Sequence, residues 1–302
     1  MHLLLLLKLF FLRPIHANNP PPNYFYLEWH NANNIFSGVG IIDLETCVLG
    51  SGSKGNSIFF KSKKSKFLVD AGLSARQIKL RMKEIGQDPK DLDFILVTHE
   101  HSDHIKGIAR LVKLYGTKIM MNNKTYGAVR AHLPEDARIL DFTTGEEFRF
   151  MDLHIIPLSI SHDAADPVSF IIRTGSTKAA VMTDLGFVSN EMFRELKDLD
   201  IFILESNHDL DMLMGGPYPL FLKRRISSLT GHLSNTAAAE TLIKISPKER
   251  SHIFLAHISE TNNHPDIAYS SVRELLEENK ALARNLHLTY QDRPTGLFQS
   301  PL

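Results

Sequence analysis

Residues 97–107 read VTHEHSDHIKG and place three histidines and one aspartate within six positions. The four residues are His99, His101, Asp103 and His104. They follow an apolar run typical of a buried strand and precede a segment with the apolar spacing of a helix. Side chains at the carboxyl end of such a strand project into a crevice, which is where α/β folds place their sites. Because histidine and carboxylate side chains bind metals, the stretch predicts an α/β fold with a metal site at a strand-to-helix turn.

The sequence on either side predicts alternating strands and helices. Three runs between residues 46 and 72, TCVLG, SIFFKS and KFLVDAG, combine β-branched and aromatic residues with turn residues, as consecutive strands do. Residues 75–86 carry apolar side chains four and three positions apart and end in glycine, which predicts an amphipathic helix. A strand at 94–98 and a helix across 105–116 are predicted to enclose the histidine-rich stretch.

Composition restricts the ligands and the compartment. Lysine plus arginine and aspartate plus glutamate both number 34 among the 302 residues, so any nucleic-acid binding must use local basic patches. Cys47 is the only cysteine, which excludes an intramolecular disulfide and a cysteine-based zinc site and indicates a reducing, cytoplasmic location. Any metal must therefore be held by histidine and carboxylate side chains.

Residues 1–42 are predicted to be an N-terminal extension to one domain at 43–302. Residues 2–12, HLLLLLKLFFL, are too short to span a bilayer and are interrupted by Lys8, so no stable membrane association is expected. The part that follows is rich in asparagine and proline, which predicts disorder. The alternative is an export signal that is cleaved near Ala17.

Four ligands do not complete two metal coordination shells, so further histidine and aspartate residues are expected after other apolar runs. Three residues meet this condition: His162 follows LHIIPLSIS, Asp184 follows KAAVMT, and His257 follows HIFLA. An aspartate is the type of ligand that can bridge two cations. The shared pattern of a strand followed by a ligand favours metal binding at all three positions.

The motif THEHSDH, together with the three later residues, resembles the metallo-β-lactamase superfamily over residues 43–302. The resemblance implies an αβ/βα four-layer sandwich with two mixed β-sheets and two divalent metal ions in a cleft at one sheet edge. It implies that one ion is held by His99, His101 and His162. It implies that the other is held by Asp103, His104 and His257, with Asp184 between the two ions.

Five further segments resemble the WalJ/YycJ-like exonuclease branch of that superfamily. They are GSGSKGNS at 50–57, SHDAADPVSF at 161–170, LESNHD at 204–209, GPYPLFLKRRISSLTGHLSN at 216–235 and HISETNN at 257–263. This resemblance implies a metal-dependent phosphodiesterase that acts as a 5′-to-3′ DNA exonuclease.

The implied reaction is attack on a nucleic-acid phosphodiester by a metal-bridging hydroxide. Two divalent ions about 3.5 to 4 Å apart lower the pKa of a shared water towards ~7 and hold the oxygens of an in-line displacement. Histidine-rich shells favour Zn²⁺, and carboxylate and water ligands also admit Mn²⁺. Asp103 and His232 are the predicted catalytic residues. In related phosphodiesterases a histidine in the position of His232 contacts the substrate phosphate or protonates the leaving oxygen, and such acid catalysis contributes ~10²–10⁴-fold.

Three short segments are predicted to touch the substrate, which is DNA or RNA. They are a Gly- and Ser-rich turn, a basic run, and the polar residues that follow His232, and their side chains are Ser53, Asn56, Lys223, Arg224, Arg225, Ser234 and Asn235. Glu205 and Asn207 accompany His208 at the end of another apolar strand. We expect His208 to support the metal ligands rather than to be an eighth ligand.

Three alternative functions remain open from the sequence. A thioesterase or lactonase could use the same metals on a small substrate, although the basic run disfavours it. An RNA-processing nuclease with an inserted cap domain is disfavoured because Asp184 and His257 are only 73 positions apart. A non-catalytic metal-binding protein would usually have lost one or two of the ligands.

Overall fold

Two mixed β-sheets form the centre of the computed structural model, which describes residues 24–26, 43–278 and 285–301. Strands are numbered along the chain. In spatial order, the described strands of the first sheet are β1 (Tyr24–Tyr26), β7 (Ile139–Asp141), β6 (Lys118–Met121), β5 (Phe94–Leu96), β4 (Lys66–Val69), β3 (Ser57–Ser62), β2 (Leu44–Gly50) and β15 (Phe298–Gln299). Those of the second sheet are β14 (Leu286–Leu288), β13 (His252–Ala256), β12 (Ile201–Glu205), β11 (Thr177–Met182), β10 (Val168–Thr174), β9 (Leu153–Ser159) and β8 (Phe148–Phe150).

Both sheets combine a parallel half with an antiparallel half. Strands β4, β5, β6, β7 and β1 pair in parallel, and β2, β3 and β15 add antiparallel pairs. In the second sheet β11 to β14 are parallel and β8 to β11 are antiparallel. The strands predicted at 46–50 and 57–62 are therefore confirmed, and those predicted at 66–72 and 94–98 are present but end earlier, at Val69 and Leu96.

Helices lie on the outer faces of the sheets and in the connections between strands. They are α1 (Ala75–Glu84), α2 (Ser102–Ile105), α3 (Ile108–Tyr115), α4 (Asn123–Val129), α5 (Asn190–Glu195), α6 (Leu210–Gly215), α7 (Leu220–Ile226), α8 (Asn235–Ile245) and α9 (Pro265–Glu278), with 3-10 turns at Pro89–Asp91 and Arg130–His132. The helix predicted at 75–86 is confirmed as α1, and Ser74 and Gln77 form a capping box at its start.

Three apolar cores separate four layers. The central core joins the inner faces of the sheets, where Phe67 and Phe94 of the first sheet meet residues such as Phe170 and Phe254 of the second. A second core lies between the first sheet and helices α1 and α3. The third lies between the second sheet and helices α8 and α9. The order helix, sheet, sheet, helix confirms the predicted αβ/βα sandwich.

The helix predicted across 105–116 is wrong in its first turn. The chain forms the short helix α2 and then α3, which begins only after Gly107. Gly107 lies against the loop that follows β4, because its N–H donates to the Ala71 carbonyl and an added Cβ would lie 2.4 Å from the Leu73 carbonyl oxygen. This tertiary contact interrupts an apolar pattern that is continuous in the sequence.

Strand β1 lies inside the predicted N-terminal extension and pairs in parallel with β7. The remaining residues of the extension, 1–23 and 27–42, lie outside the described part of the chain, and so do Lys8 and Ala17. Their predicted disorder, the domain boundary at 43 and the export-signal alternative therefore stay predictions. Among the described helices, none has the length and apolar character that crossing a membrane requires.

Candidate metal centre

The seven predicted metal ligands lie in the segments that follow the carboxyl ends of four strands, with Asp103 and His104 inside the short helix α2. His99 to His104 follow β5, His162 follows β9, Asp184 follows β11, and His257 follows β13. Asp184 and His257 have positive φ angles of 60° and 54°, a conformation that non-glycine residues seldom adopt. Strain of this kind persists only where surrounding contacts hold it, and it concentrates at functional sites.

The first group of candidate ligands consists of His99, His101 and His162. His101 Nδ1 lies 3.1 Å from His99 Nε2 and 3.3 Å from His162 Nε2. Two nitrogens bound tetrahedrally to one zinc ion at 2.0–2.1 Å are about 3.3 Å apart, so these distances fit a shared cation. Burial lowers the pKa of His99 and of His162, which favours the neutral imidazole that a metal requires.

The second group consists of Asp103, His104, Asp184 and His257, whose nearest ligand atoms lie within 4.8 Å of one another. His104 Nε2 is 3.2 Å from Asp184 Oδ2, and His257 Nε2 is 3.8 Å from Asp103 Oδ2. His257 Nε2 is buried and has no hydrogen-bond partner among the described residues, which suits an atom that would bind a cation. The rings of His99 and His104 are 4.1 Å apart, so the two groups adjoin.

Two carboxylates and two histidines make up the second group, and each shifts the pKa of its neighbours. Burial opposes ionisation of Asp184, but His257 and His104 outweigh it and hold the pKa of that carboxyl well below its usual range. Burial lowers the pKa of His257, yet the carboxylates of Asp184, Asp103 and Glu205 raise it to about 10. The carboxylates that keep a proton on His257 would also attract a metal cation, and a cation bound to His257 would displace that proton.

Glu205, at the end of β12, holds several of these groups in place. Its buried carboxylate accepts hydrogen bonds from His257 Nδ1 at 2.6 Å and from His232 Nδ1 at 2.9 Å. It also accepts three from the backbone N–H groups of Asp184, Leu185 and Leu233. Although burial opposes it, His232 and His257 lower the pKa of Glu205 to about 2. His208 was expected in this supporting role, whereas the structure gives these contacts to Glu205.

Asp70 contacts His104 in the same way that Glu205 contacts His257, through Nδ1 of the ring. Its Oδ2 lies 2.7 Å from His104 Nδ1, and it also accepts hydrogen bonds from the Thr98 backbone and hydroxyl. A carboxylate behind a ligand histidine fixes the ring orientation and the tautomer. Asp70 was not predicted from the sequence. The one feature that could have identified it is that it directly follows a buried strand, β4, as several of the predicted ligands follow theirs.

A cavity of about 250 Å³ opens onto both groups. Its lining comprises Ser53, His101, Asp103, His162, Asp184, Leu222, Arg225, Ile226, Thr230, Gly231, His232 and His257. Five of the seven predicted ligands line the cavity. They are His101 and His162 of the first group and Asp103, Asp184 and His257 of the second. His232 stands opposite the first group, with its ring centroid 5.5 Å from that of His162.

Only some of the predicted substrate residues reach this cavity. Ser53 and Arg225 line it, and Arg225 forms a 2.9 Å ion pair with Asp163. Lys223 Nζ donates to the Met214 carbonyl, and Arg224 is exposed on α7 outside the cavity lining.

The other three predicted substrate residues are engaged in the protein itself. Asn56 is buried, and its amide nitrogen lies 3.4 Å from Asp103 Oδ2 and 3.2 Å from His104 Nε2. Ser234 caps helix α8. Asn235 is buried and bonded to Ser206 and Asn263. The structure thus places these three behind the site rather than in the cavity.

Comparison with known proteins agrees with this architecture. A family model described as a β-lactamase superfamily domain matches residues 65–258. The chain is 40% identical over 238 residues to a protein named exodeoxyribonuclease YycJ of Bacillus anthracis, covering 78% of this chain and 90% of that protein. It is 37% identical over 240 residues to one named exodeoxyribonuclease WalJ of Streptococcus pneumoniae, covering 76% and 87%.

A solved structure shares the fold at much lower identity. The crystal structure of the metallo-β-lactamase fold protein YhfI from Bacillus subtilis superposes with a TM-score of 0.64 at 16% sequence identity, covering 83% of this chain and 99% of that one. At such identity the likeness concerns the fold alone.

Proposed function

The chain belongs to the metallo-β-lactamase superfamily, and from that membership we propose that it is a metal-dependent exonuclease that degrades DNA from a 5′ end. The observation that carries the proposal is the convergence of seven histidine and aspartate side chains into two adjoining groups at one cavity. The names of the two relatives, both exodeoxyribonucleases, supply the substrate class.

The residues fit two divalent ions, which we propose to be zinc or manganese. His99, His101 and His162 would hold one, and Asp103, His104 and His257 the other, with Asp184 between them. When bound, such ions lower the pKa of water to near neutrality and neutralise charge on a phosphodiester. Asp103 is the partly exposed carboxylate of the second group, and we propose that it orients the attacking water by accepting a hydrogen bond.

His232 is placed to act on the leaving oxygen. Because the ionised Glu205 accepts a hydrogen bond from His232 Nδ1, the Nδ1–H tautomer is fixed and Nε2 remains available to the cavity. When Nε2 is also protonated, the imidazolium can donate a hydrogen bond to a phosphate oxygen or deliver that proton to the departing sugar oxygen, which leaves the neutral Nδ1–H imidazole. We propose that His232 is a catalytic residue and that Glu205 is its positioning residue.

Replacement of His232 by alanine is expected to lower kcat by at least ~10²-fold while both metal ions remain bound, because the change removes the proton donor but no proposed ligand. The measurement is steady-state DNA degradation together with the metal content of the same preparation. The matched control is His264→Ala, which removes an exposed histidine before α9. Loss of metal from the His232 variant would instead make His232 a ligand.

Basic and polar side chains around the cavity are proposed to bind the polymer backbone. Arg225 lines the cavity, and Arg224 and Lys223 lie beside it on α7, where they can contact flanking phosphates. Ser53 offers a hydroxyl from the opposite loop. We propose that Asn56, Ser234 and Asn235 act by holding the loops that carry Asp103, His104 and His232.

The alternative functions use the same metals but different substrates. A small thioester or lactone would not contact the cationic side chains of α7. The presence of these cations beside the cavity therefore favours a polyanionic substrate. RNA is the second candidate substrate. The side chains proposed to bind the backbone, Ser53, Lys223, Arg224 and Arg225, would contact phosphates, which DNA and RNA share, rather than bases. We place the enzyme in the cytoplasm on the ground of its single buried, unpaired Cys47.

The test is degradation of duplex DNA that carries a label at either the 5′ or the 3′ end, in the presence of Mn²⁺ or Zn²⁺, beside an RNA of the same sequence. The expected result is early release of a labelled mononucleotide from the 5′-labelled strand and late release from the 3′-labelled strand. Faster cleavage of RNA would move the proposal to a ribonuclease. Hydrolysis of a chromogenic ester with no cleavage of either polymer would contradict it.

A further inference from the structure

Exposed apolar side chains concentrate beside the cavity. Of the ten large apolar side chains that are exposed in the described part of the chain, six lie between residues 187 and 229. They are Phe187, Leu210, Met214, Leu220, Phe221 and Leu229. Phe221 on α7 is the most exposed of all, at 74%. An aromatic ring with this exposure contributes little to the core, and its surface is available to pack against a ligand.

Helix α7 connects Phe221 to the cavity. Leu222, Arg225 and Ile226 line the cavity wall, so one face of α7 borders the active site. Phe221 precedes Arg225 by four residues and Arg224 by three, which makes all three neighbours on the adjacent, exposed face. The rim of the cleft therefore presents one aromatic ring and two guanidinium groups within a single helical turn.

The same helix is tied to His232. The turn after α7 folds back, so that the His232 N–H donates to the Ile226 carbonyl at 2.9 Å and the Gly231 backbone lies against the carbonyls of Arg225 and Ile226. A ligand held on the exposed face of α7 would consequently be held at a fixed distance from His232.

We propose that Phe221 is a stacking residue for the DNA strand, which packs an unpaired base outside the cavity while Arg224 and Arg225 hold the flanking phosphates. This inference rests on the proposed nuclease function and adds a substrate-binding subsite to it. Surfaces that bind single strands combine aromatic rings for the bases with cations that follow the backbone. Phe221 lies outside the cavity lining, so it can contact only substrates that extend beyond the scissile bond.

The charge around Phe221 favours nucleic acid over a second copy of this chain. Lys223, Arg224 and Arg225 lie two to four positions after Phe221, and pairing two α7 helices would bring both sets of cations together. A nucleic-acid strand instead offers bases that can stack on the ring and phosphates that can pair with the cations. Arg225 already pairs with the exposed Asp163 across the mouth of the cavity, and a phosphate could take the place of that carboxylate.

The test compares a polymer with a substrate too short to reach α7. Hydrolysis of a single-stranded oligonucleotide and of thymidine 5′-(4-nitrophenyl phosphate) is measured for the wild type, Phe221→Ala and Phe221→Trp. Phe221→Ala is expected to raise KM for the oligonucleotide about 5- to 150-fold, because base stacking contributes that much per ring, with kcat unchanged. Hydrolysis of the short ester is expected to be unchanged, and Phe221→Trp is expected to retain the wild-type KM. Leu80→Ala, which truncates an exposed apolar side chain on α1, is the control.

Three results would overturn the stacking proposal. They are an unchanged KM in Phe221→Ala, an equal loss on the oligonucleotide and the short ester, and a change of oligomeric state in sedimentation that accounts for the loss. If the wild type cleaves neither substrate, the proposed nuclease function fails. The stacking proposal is then tested by the affinity for a labelled oligonucleotide, measured by fluorescence anisotropy in the presence of a chelator. Equal affinities of the wild type and Phe221→Ala would refute it.

Discussion

Replacement of Asp184 by alanine is expected to abolish DNA degradation, a loss larger than the ~10²–10⁴-fold that a single general acid contributes. Asp184 is the buried carboxylate that faces His104 and His257, and it is proposed to lie between the two ions. Its removal takes one of the anionic partners from each of His104 and His257 and would deprive both ions of a proposed ligand. The measurement is the rate of nucleotide release, together with metal content and circular dichroism.

The matched control is Asp136→Ala, which removes an exposed aspartate in the loop before β7. It should leave the rate and the metal content unchanged. An Asp184→Ala protein that is folded, binds two ions and degrades DNA at the wild-type rate would contradict the proposed site. A variant that is unfolded is distinguished by its circular dichroism, and Asp184→Asn, which keeps the shape and removes the charge, then provides the comparison.

Replacement of Gly72 by alanine is expected to cost at least ~4 kcal/mol of stability and to remove metal binding. An added Cβ at this position would lie 1.5 Å from the Asp103 carbonyl oxygen and 2.8 Å from the Asn56 backbone nitrogen. Three chain segments meet here, because the Asn56 N–H donates to Asp103 and the Gly72 N–H donates to Asn56. The loop that carries Asp103 and His104 must therefore move away.

Urea unfolding of the metal-free protein and metal content of the purified protein measure this prediction. Gly127→Ala is the control, because nothing lies within 4 Å of a Cβ added there and the residue is inside α4. That substitution should stabilise the helix by roughly 0.5–1 kcal/mol. If Gly72→Ala instead matches the wild type in both stability and metal content, the close contact between the two loops does not exist.

The candidate metal ligands could be located in the sequence because they follow buried strands. A run such as KAAVMT predicts a strand, and parallel strands bring the residues after them to one edge, so Asp184 and His257 needed no knowledge of distant contacts. The helix after the histidine-rich stretch was predicted one turn too early, because the contact of Gly107 with residues 71 and 73 is tertiary and leaves no local pattern.

Roles that depend on long-range hydrogen bonds could not be predicted. Glu205 contacts partners 27 and 52 positions away, and Asp70 contacts His104 34 positions away, so neither pairing has a sequence spacing that identifies it. Asn235 resembles a substrate residue because it is polar and follows His232 closely. Its burial depends on the fold of a segment near Asn263, which sequence alone does not locate.

The most direct test of the two-metal nuclease is a paired measurement on one preparation, of metal ions per chain and of nucleotide release from 5′-labelled duplex DNA. Both are recorded before chelation, after chelation and after Mn²⁺ or Zn²⁺ is returned. The account predicts two ions per chain in the active protein, no DNA degradation after chelation, and recovery in proportion to the ions restored. DNA degradation that persists in the metal-free protein, or a protein with two ions that cleaves neither DNA nor RNA, would contradict it.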